Sequence, residues 1–463
     1  VAIAGISLRR GYDSMAEIYL RALVECKFNG PIYGINPKGG EFRGRKLYPS
    51  VKDVPGPLDY VICCIPAPAV PQLIRDCADK GVKAVQFFTS GFSENGTEEG
   101  RRLEAEVCHI ARQGGVRLVG PNCMGVYSPK SGLSFSPDYP TESGPVSFLC
   151  QSGGNAIYFI RHGAQRGVRF SKVISFGNAA DINENELLEY FTDDPETGII
   201  TAYIEGFKDG RRFSKALRKA AKVKPVVVMK GGRTEAGARA VASHTGVLAG
   251  STRIWEGLLR QAGVIPVANL EELGDILVTF LYLPVPHGRR LAVLDVGGGA
   301  AVLATDVYVS AGLDLPRLSE ELRRKVRGFL DPDAAGLSVN NPLDLGGQFF
   351  NTIGTYPIMK MLFDDGGIDI IAFHLHLSIH PPFPSLPGEF AFVLLDNAIK
   401  VYNETGKPMI VVIDQVTNVE SWETAIALRE RCKQARIPVY LSVQAAATAL
   451  ERFINYHEKR RGL

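Results

Sequence analysis

Short apolar runs alternate with longer amphipathic stretches from one end of the chain to the other. Residues 1–5, 31–35, 60–65, 84–88 and 116–119 read as buried strands bounded by glycine or proline. Between them, residues 69–80 and 97–113 carry apolar side chains at helical spacing. The alternation predicts an α/β fold, with parallel sheets covered by helices on both faces. Residues 126–144, rich in Ser, Pro and Gly, read as a linker. A second block opens at Pro145-Val-Ser-Phe-Leu-Cys150 and continues through strands near 172–175, 199–204, 225–230 and 264–267. The proline-punctuated segment 283–290 separates a third block, which opens at Leu291-Ala-Val-Leu-Asp295 and recurs at 368–377, 408–413 and 438–441. The expected domains are 1–128, 144–283 and 289–463. The last two each start with a strand, a glycine-rich turn and a helix, as two copies of one fold would.

Composition narrows the function classes. A chain of 463 residues is too long for one core. A net charge of +3, with no basic block interleaved with aromatics, gives no footprint for nucleic acid. No apolar run reaches the roughly 18 residues needed to cross a bilayer, so no membrane role is expected. The chain opens directly in a strand, and a cytoplasmic location is expected. Its eight cysteines show no Cys-x-x-Cys spacing and read as reduced thiols, Cys63 and Cys64 being small buried hydrophobes.

In the first block, the first strand runs into Gly5-Ile-Ser-Leu-Arg-Arg-Gly11. A glycine-containing turn before a helix presents backbone N–H groups to a pyrophosphate, and Gly5, Ser7, Arg9 and Arg10 are its candidate contacts. The second strand ends Tyr33-Gly-Ile-Asn-Pro-Lys38, with a lysine where an NAD site wants an acid. Lys38 favours a nucleotide phosphorylated on its ribose, either coenzyme A or NADP. Later strand ends supply Ile65 and Pro66, Ser90 and Gly91, and Asn122 and Cys123, on the edge where open α/β sheets bind ligands.

The second block carries the reactive candidates. Cys150-Gln-Ser-Gly-Gly-Asn155 lies between a strand and a helix, with Ser152 as a helix cap. The free N–H groups at Ser152, Gly153 and Gly154 suit a phosphate or acyl phosphate, and Gly177 and Asn178 end the next strand. His244 sits in Lys230-Gly-Gly-Arg-Thr-Glu-Ala-Gly-Ala-Arg-Ala-Val-Ala-Ser-His-Thr-Gly-Val-Leu-Ala-Gly250, which reads as a flexible loop too poor in bulk to build a core. A neutral imidazole in such a setting can attack phosphorus and hand the group on.

Taken together, these motifs resemble the α subunit of ADP-forming acyl-CoA synthetases, relatives of succinyl-CoA synthetase. The matching segments are Ile35-Asn-Pro-Lys38, Gly120-Pro-Asn-Cys-Met-Gly125, Gln151-Ser-Gly153, Phe176-Gly-Asn178, Tyr203-Ile-Glu-Gly206, Ser243-His-Thr-Gly-Val-Leu-Ala-Gly250 and Asn341-Pro-Leu-Asp-Leu345. The resemblance covers all three blocks. It implies a Rossmann-like CoA-binding domain followed by two flavodoxin-like, succinyl-CoA synthetase-like parallel-sheet domains. It puts the phosphorylated histidine at His244 and its supporting carboxylate at Glu205, with coenzyme A as substrate. The chain shows no ATP-grasp pattern. The resemblance therefore implies an ATP-grasp β subunit as partner, in an α2β2 assembly, with Mg2+ accompanying ADP or ATP on that partner. The first turn lacks the family's usual proline, and Asp295-Val-Gly-Gly-Gly299 replaces its asparagine–glycine start.

Two other readings of these residues stay open. One is a CoA-binding regulatory protein without catalysis; the other is a phosphate-dependent acyl or carbamoyl transferase that needs no ATP-grasp partner. His374, His376 and His380 share parity in a strand-like run and could ligate zinc. No fourth ligand is evident nearby, so no metal is assigned. Cys123 reads as a packing or CoA-lining residue.

Overall fold

A computed structural model describes residues 1–8, 14–245, 252–330, 338–345, 352–377 and 388–462, without the side chains of 242–245, 352–353 and 388–389. Its strands form three sheets. The first holds β1 (Ala2–Ala4), β2 (Tyr33–Ile35), β3 (Gly40–Phe42), β4 (Arg45–Tyr48), β5 (Tyr60–Cys63), β6 (Ala84–Phe87) and β7 (Arg117–Val119). Their order is β3-β4-β2-β1-β5-β6-β7, parallel except for the β3/β4 hairpin. That hairpin was not expected, because its short, mostly exposed strands carry no apolar alternation.

The second sheet holds β8 (Gly125–Tyr127), β9 (Val146–Cys150), β10 (Phe170–Ser175), β11 (Ile199–Ile204), β12 (Val226–Lys230) and β13 (Ile265–Val267), in the order β13-β12-β11-β9-β10-β8. Strand β8 runs antiparallel to β10. The stretch read as a linker is therefore partly a sheet edge. It is also tied down: the Tyr127 hydroxyl donates to Pro140 O at 2.5 Å, and Phe135 packs on Tyr19 and Phe88. Serines and prolines masked these aromatic anchors in the sequence pattern.

The third sheet holds β14 (Leu291–Asp295), β15 (Leu343–Asp344), β16 (Ile370–His376), β17 (Met409–Asp414) and β18 (Val439–Tyr440), in the order β15-β14-β16-β17-β18, all parallel. Near-continuous apolar runs such as Met-Ile-Val-Val-Ile in β17 are what a sheet covered on both faces requires. The chain divides into two compact units, Val1–Leu270 and Glu271–Leu463, the first containing two of the sheets. Apart from β8, the second sheet repeats the strand order of the third. In both, the first parallel strand (β9 or β14) has the next strand on one side and the third on the other. Among the described residues, no helix is long and apolar enough to cross a membrane.

Candidate active site

In the first sheet, the turn after β1 lies against the end of β5. Gly5 has φ +108°, and an added Cβ would stand 2.7 Å from Cys64 O, so only glycine fits. Asn36 Nδ2 donates to Ile6 O at 2.7 Å, joining the end of β2 to the same turn. Lys38 and Ser90 are exposed beyond their strands, as is Pro66, while Ser7, Ile65, Gly91 and Asn122 are half-buried. The predicted residues Arg9 and Arg10 lie outside the described residues. Cys123 points the other way. It is 4% exposed, its thiol donates to Phe87 O and Val119 O, and burial pushes its pKa up to about 12. That is a packing position.

The two sheets of the first unit meet at their strand ends. The helix Gly153–Gln165 is capped by Ser152, whose side chain accepts from Asn155 N. An added Cβ on Gly153 would lie 3.3 Å from Met124 N, so this helix start abuts the Asn122–Met124 turn after β7. Gly177, at φ +50°, is equally constrained, its Cβ position falling 2.1 Å from Pro121 O. Asn178 is 3% exposed, and its amide donates to Glu94 at 2.5 Å and Glu104 at 2.9 Å. The Phe176-Gly-Asn178 turn thus fastens the second sheet to the first, a role the sequence did not reveal.

Glu205 follows β11 and is 3% exposed. Gln151, following β9, accepts from Glu205 N at 2.7 Å and Gly206 N at 3.2 Å through one side-chain oxygen. The Ser152 turn and Glu205 are thereby held together at the point where the strand order reverses, the usual place for a ligand in such sheets. The Tyr203 hydroxyl donates to Glu205 Oε1 at 3.1 Å. Lys230, at the end of β12, donates to Glu205 O at 2.7 Å and to Gly231 O. Burial lowers its pKa, against the opposing pull of Glu205. Gln151, Tyr203 and Lys230 were not among the predicted site residues. The sequence held one clue for Tyr203: two positions before Glu205, it shares that residue's face.

The segment after Lys230 corrects the loop reading. Residues Glu235–Thr245 form an α-helix, begun by Thr234, whose hydroxyl accepts from Gly237 N at 3.0 Å. Its alanines leave little bulk for a core but are the strongest of helix formers. The helix lies beside the Ser93–Asn95 turn, next to the junction of the two sheets. His244 occupies its last turn; the side chain lies outside the described residues.

In the second unit, β16 ends with His374 and His376 buried on one face. His380 lies outside the described residues. The fold supplies carboxylates that neighbouring sequence did not, Asp295 from β14 and Asp414 from β17. Burial alone would lower the pKa of His376, but its bonds to Asp295 and Asp414 outweigh this and raise it to about 10.

Comparison with known proteins agrees with this architecture. Residues 1–129 match the CoA binding domain family, and residues 143–280 match the succinyl-CoA ligase like flavodoxin domain. The α subunit of ADP-forming acetate–CoA ligase I from Pyrococcus furiosus is 35% identical over 97% of this chain and 94% of its own length. The α subunit of the second such ligase in that organism is 37% identical over 83% and 82%. A solved "dinucleotide forming" acetyl-coenzyme A synthetase 1 of Candidatus Korarchaeum cryptofilum, in complex with phosphate and ADP, superposes with a TM-score of 0.82. It is 31% identical, and the match covers 99% of this chain and 96% of that one. The chain belongs to the family of α subunits of ADP-forming acetate–CoA ligases.

Proposed function

We propose that this protein is the α subunit of an ADP-forming acyl-CoA synthetase in which His244 carries the phosphoryl group. Coenzyme A lies along the carboxyl edge of the first sheet, contacted by Gly5, Ser7, Arg9, Arg10, Lys38, Ile65, Pro66, Ser90, Gly91 and Asn122. Inorganic phosphate attacks the thioester carbonyl, forming acyl phosphate and releasing the CoA thiol. His244 then attacks phosphorus, and the carboxylate leaves. Phosphohistidine finally gives its phosphoryl group to ADP on a partner subunit, regenerating imidazole and forming ATP.

The chain's residues have distinct tasks in this scheme. The N–H groups at Ser152, Gly153 and Gly154 face phosphate oxygens at a helix start. Glu205 accepts a hydrogen bond from one ring N–H of His244, so that the other nitrogen is the nucleophile. Lys230 and Gln151 fix the backbone around Glu205. Gly177 and Asn178 hold the acyl-phosphate pocket closed on the CoA side. The observation that carries the reading is the junction of the two sheets. There the Ser152 turn abuts the Asn122–Met124 turn and is tied to Glu205, beside the helix that leads to His244.

The partner is taken to be an ATP-grasp β subunit with Mg2+ bound to its nucleotide, in an α2β2 assembly in the cytoplasm. Eight unpaired thiols suit that compartment. Acetate is the expected acid, since the similar α subunits belong to enzymes named for it. The test is reconstitution with an ATP-grasp β subunit and labelling from γ-32P-ATP. The wild-type chain should acquire acid-labile label, and His244→Gln should acquire none while retaining CoA binding. Label on His244→Gln would refute the assignment. Acyl phosphate made by the chain without any partner is expected; ATP made without one would point to another enzyme class.

A further inference from the structure

The carboxyl edge of the third sheet carries ionisable groups on four neighbouring strands. Asp344 ends β15, Asp295 ends β14, His376 ends β16 and Asp414 ends β17, in their spatial order. At the point of strand-order reversal, between β14 and β16, Asp295 Oδ2 lies 2.9 Å from His374 Nδ1. Its other oxygen lies 2.5 Å from His376 Nε2. The three residues are at most 2% exposed, and one donor atom from each falls within 4.8 Å of the others.

We propose that Asp295, His374 and His376 form a binding site for a single divalent transition-metal ion of the zinc type, through Asp295 Oδ2, His374 Nδ1 and His376 Nε2. Three features support this. First, the groups behind the donor atoms are those that metal-binding histidines need. Asp414 pairs with His376 Nδ1, the Tyr308 hydroxyl lies 2.9 Å from His374 Nε2, and Val296 N–H donates to Asp295 Oδ1 at 2.7 Å. Each ring is thereby fixed with one nitrogen turned to Asp295. Second, the buried Asp295 and the half-buried Asp414 meet at His376 and draw positive charge to that point. One divalent cation with two neutral imidazoles brings the sum to zero. Third, two imidazoles and a carboxylate are a donor set that suits zinc and leaves a fourth position for water.

The ion would displace the protons shared along Asp295, His374 and His376. It would also clamp the ends of β14 and β16, with β17 engaged through Asp414. Nothing in the proposal touches the His244 chemistry, so its failure leaves the functional assignment standing.

The full-length chain, stripped with chelator, exposed to Zn2+ and gel-filtered, should retain a single zinc ion by mass spectrometry. Co2+ in its place should give the visible bands of a nitrogen- and oxygen-ligated site. His376→Gln and Asp295→Asn should each weaken retention at least tenfold, and Asp414→Asn by about 10–100-fold, as loss of an outer partner does. Substoichiometric zinc on the folded wild-type chain would overturn the proposal. So would full retention by both His376→Gln and Asp295→Asn, which would put the ion elsewhere. Should the variants fail to fold, histidine 15N resonances of the wild type decide. Zn2+ must shift His374 Nδ1 and His376 Nε2, and unmoved signals mean that protons alone fill the cluster.

Discussion

The second and third sheets share one strand order, apart from β8, and put different groups at its point of reversal. Where β9 and β11 part, the second sheet presents a capped helix start, a buried glutamine and a buried glutamate. Where β14 and β16 part, the third sheet presents a carboxylate locked between two imidazoles. The first edge ends in a helix start, where backbone N–H groups favour negative charge; the second gathers carboxylates and ring nitrogens. A shared architecture thus fixes where a site lies but not what it binds, which is set by the few residues just past each strand.

The largest effect that would sharpen this contrast comes from Glu205. With β subunit supplied, Glu205→Gln should lower acyl-CoA-dependent ATP formation by about 10²–10⁴-fold, the range for losing a group that orders a proton. Label on His244 should fall in parallel while KM for CoA stays near wild type. Unchanged turnover would mean that Glu205 is only a strand-end residue.

Glycines at the two edges give a smaller, structural contrast. An added Cβ on Gly231 would stand 2.6 Å from the Tyr203 hydroxyl and 3.1 Å from Glu205 Cγ. Gly231→Ala should therefore destabilise the first unit by about 1–3 kcal/mol through overpacking, and reduce phosphoryl transfer as well. At Gly297, φ is +102° but an added Cβ meets nothing within 4 Å. Gly297→Ala should cost about 1–2 kcal/mol of backbone strain alone, without touching phosphoryl transfer. Chemical denaturation of both variants, beside labelling assays, checks the pair; equal loss of labelling would erase the distinction.

The smallest effect concerns acid sensitivity. Burial would raise the pKa of Asp194, but Lys172 at 2.9 Å and Thr197 outweigh it and hold the carboxyl below its usual value. A folded-state pKa below the unfolded one adds stability above the unfolded value of about 3.9, lost as pH falls through the folded value. Lys172→Met should thus cost about 1–2 kcal/mol at neutral pH and progressively less as the solution is acidified below about pH 4. Urea midpoints across pH would show it. A difference that persists undiminished in strong acid would assign the loss to packing instead.

Much of this molecule was legible before any coordinates. Apolar runs located most parallel strands of the three blocks, because a sheet covered on both faces demands them, but not the two-residue β15. Ser152 announced a helix start, and the second and third blocks announced their kinship by repeated order. The small residues around His244 were less informative, since alanine both starves a core and builds a helix. Short polar strands such as β3 and β4, and β8 within a serine-rich stretch, gave no periodic signal at all.

What the sequence determined by itself was local: strand and helix placement, caps, the glycine turns and the order of motifs that mark the family. These depend on neighbours within a few positions, through periodicity and backbone conformation. Only the tertiary structure decided that Gln151 grips the backbone of Glu205, that Asn178 bonds Glu94 and Glu104, and that Asp295 stands between His374 and His376. Those partners lie tens of residues apart along the chain. They meet because parallel strands bring distant carboxyl ends to one edge, a consequence of sheet order that no local pattern encodes.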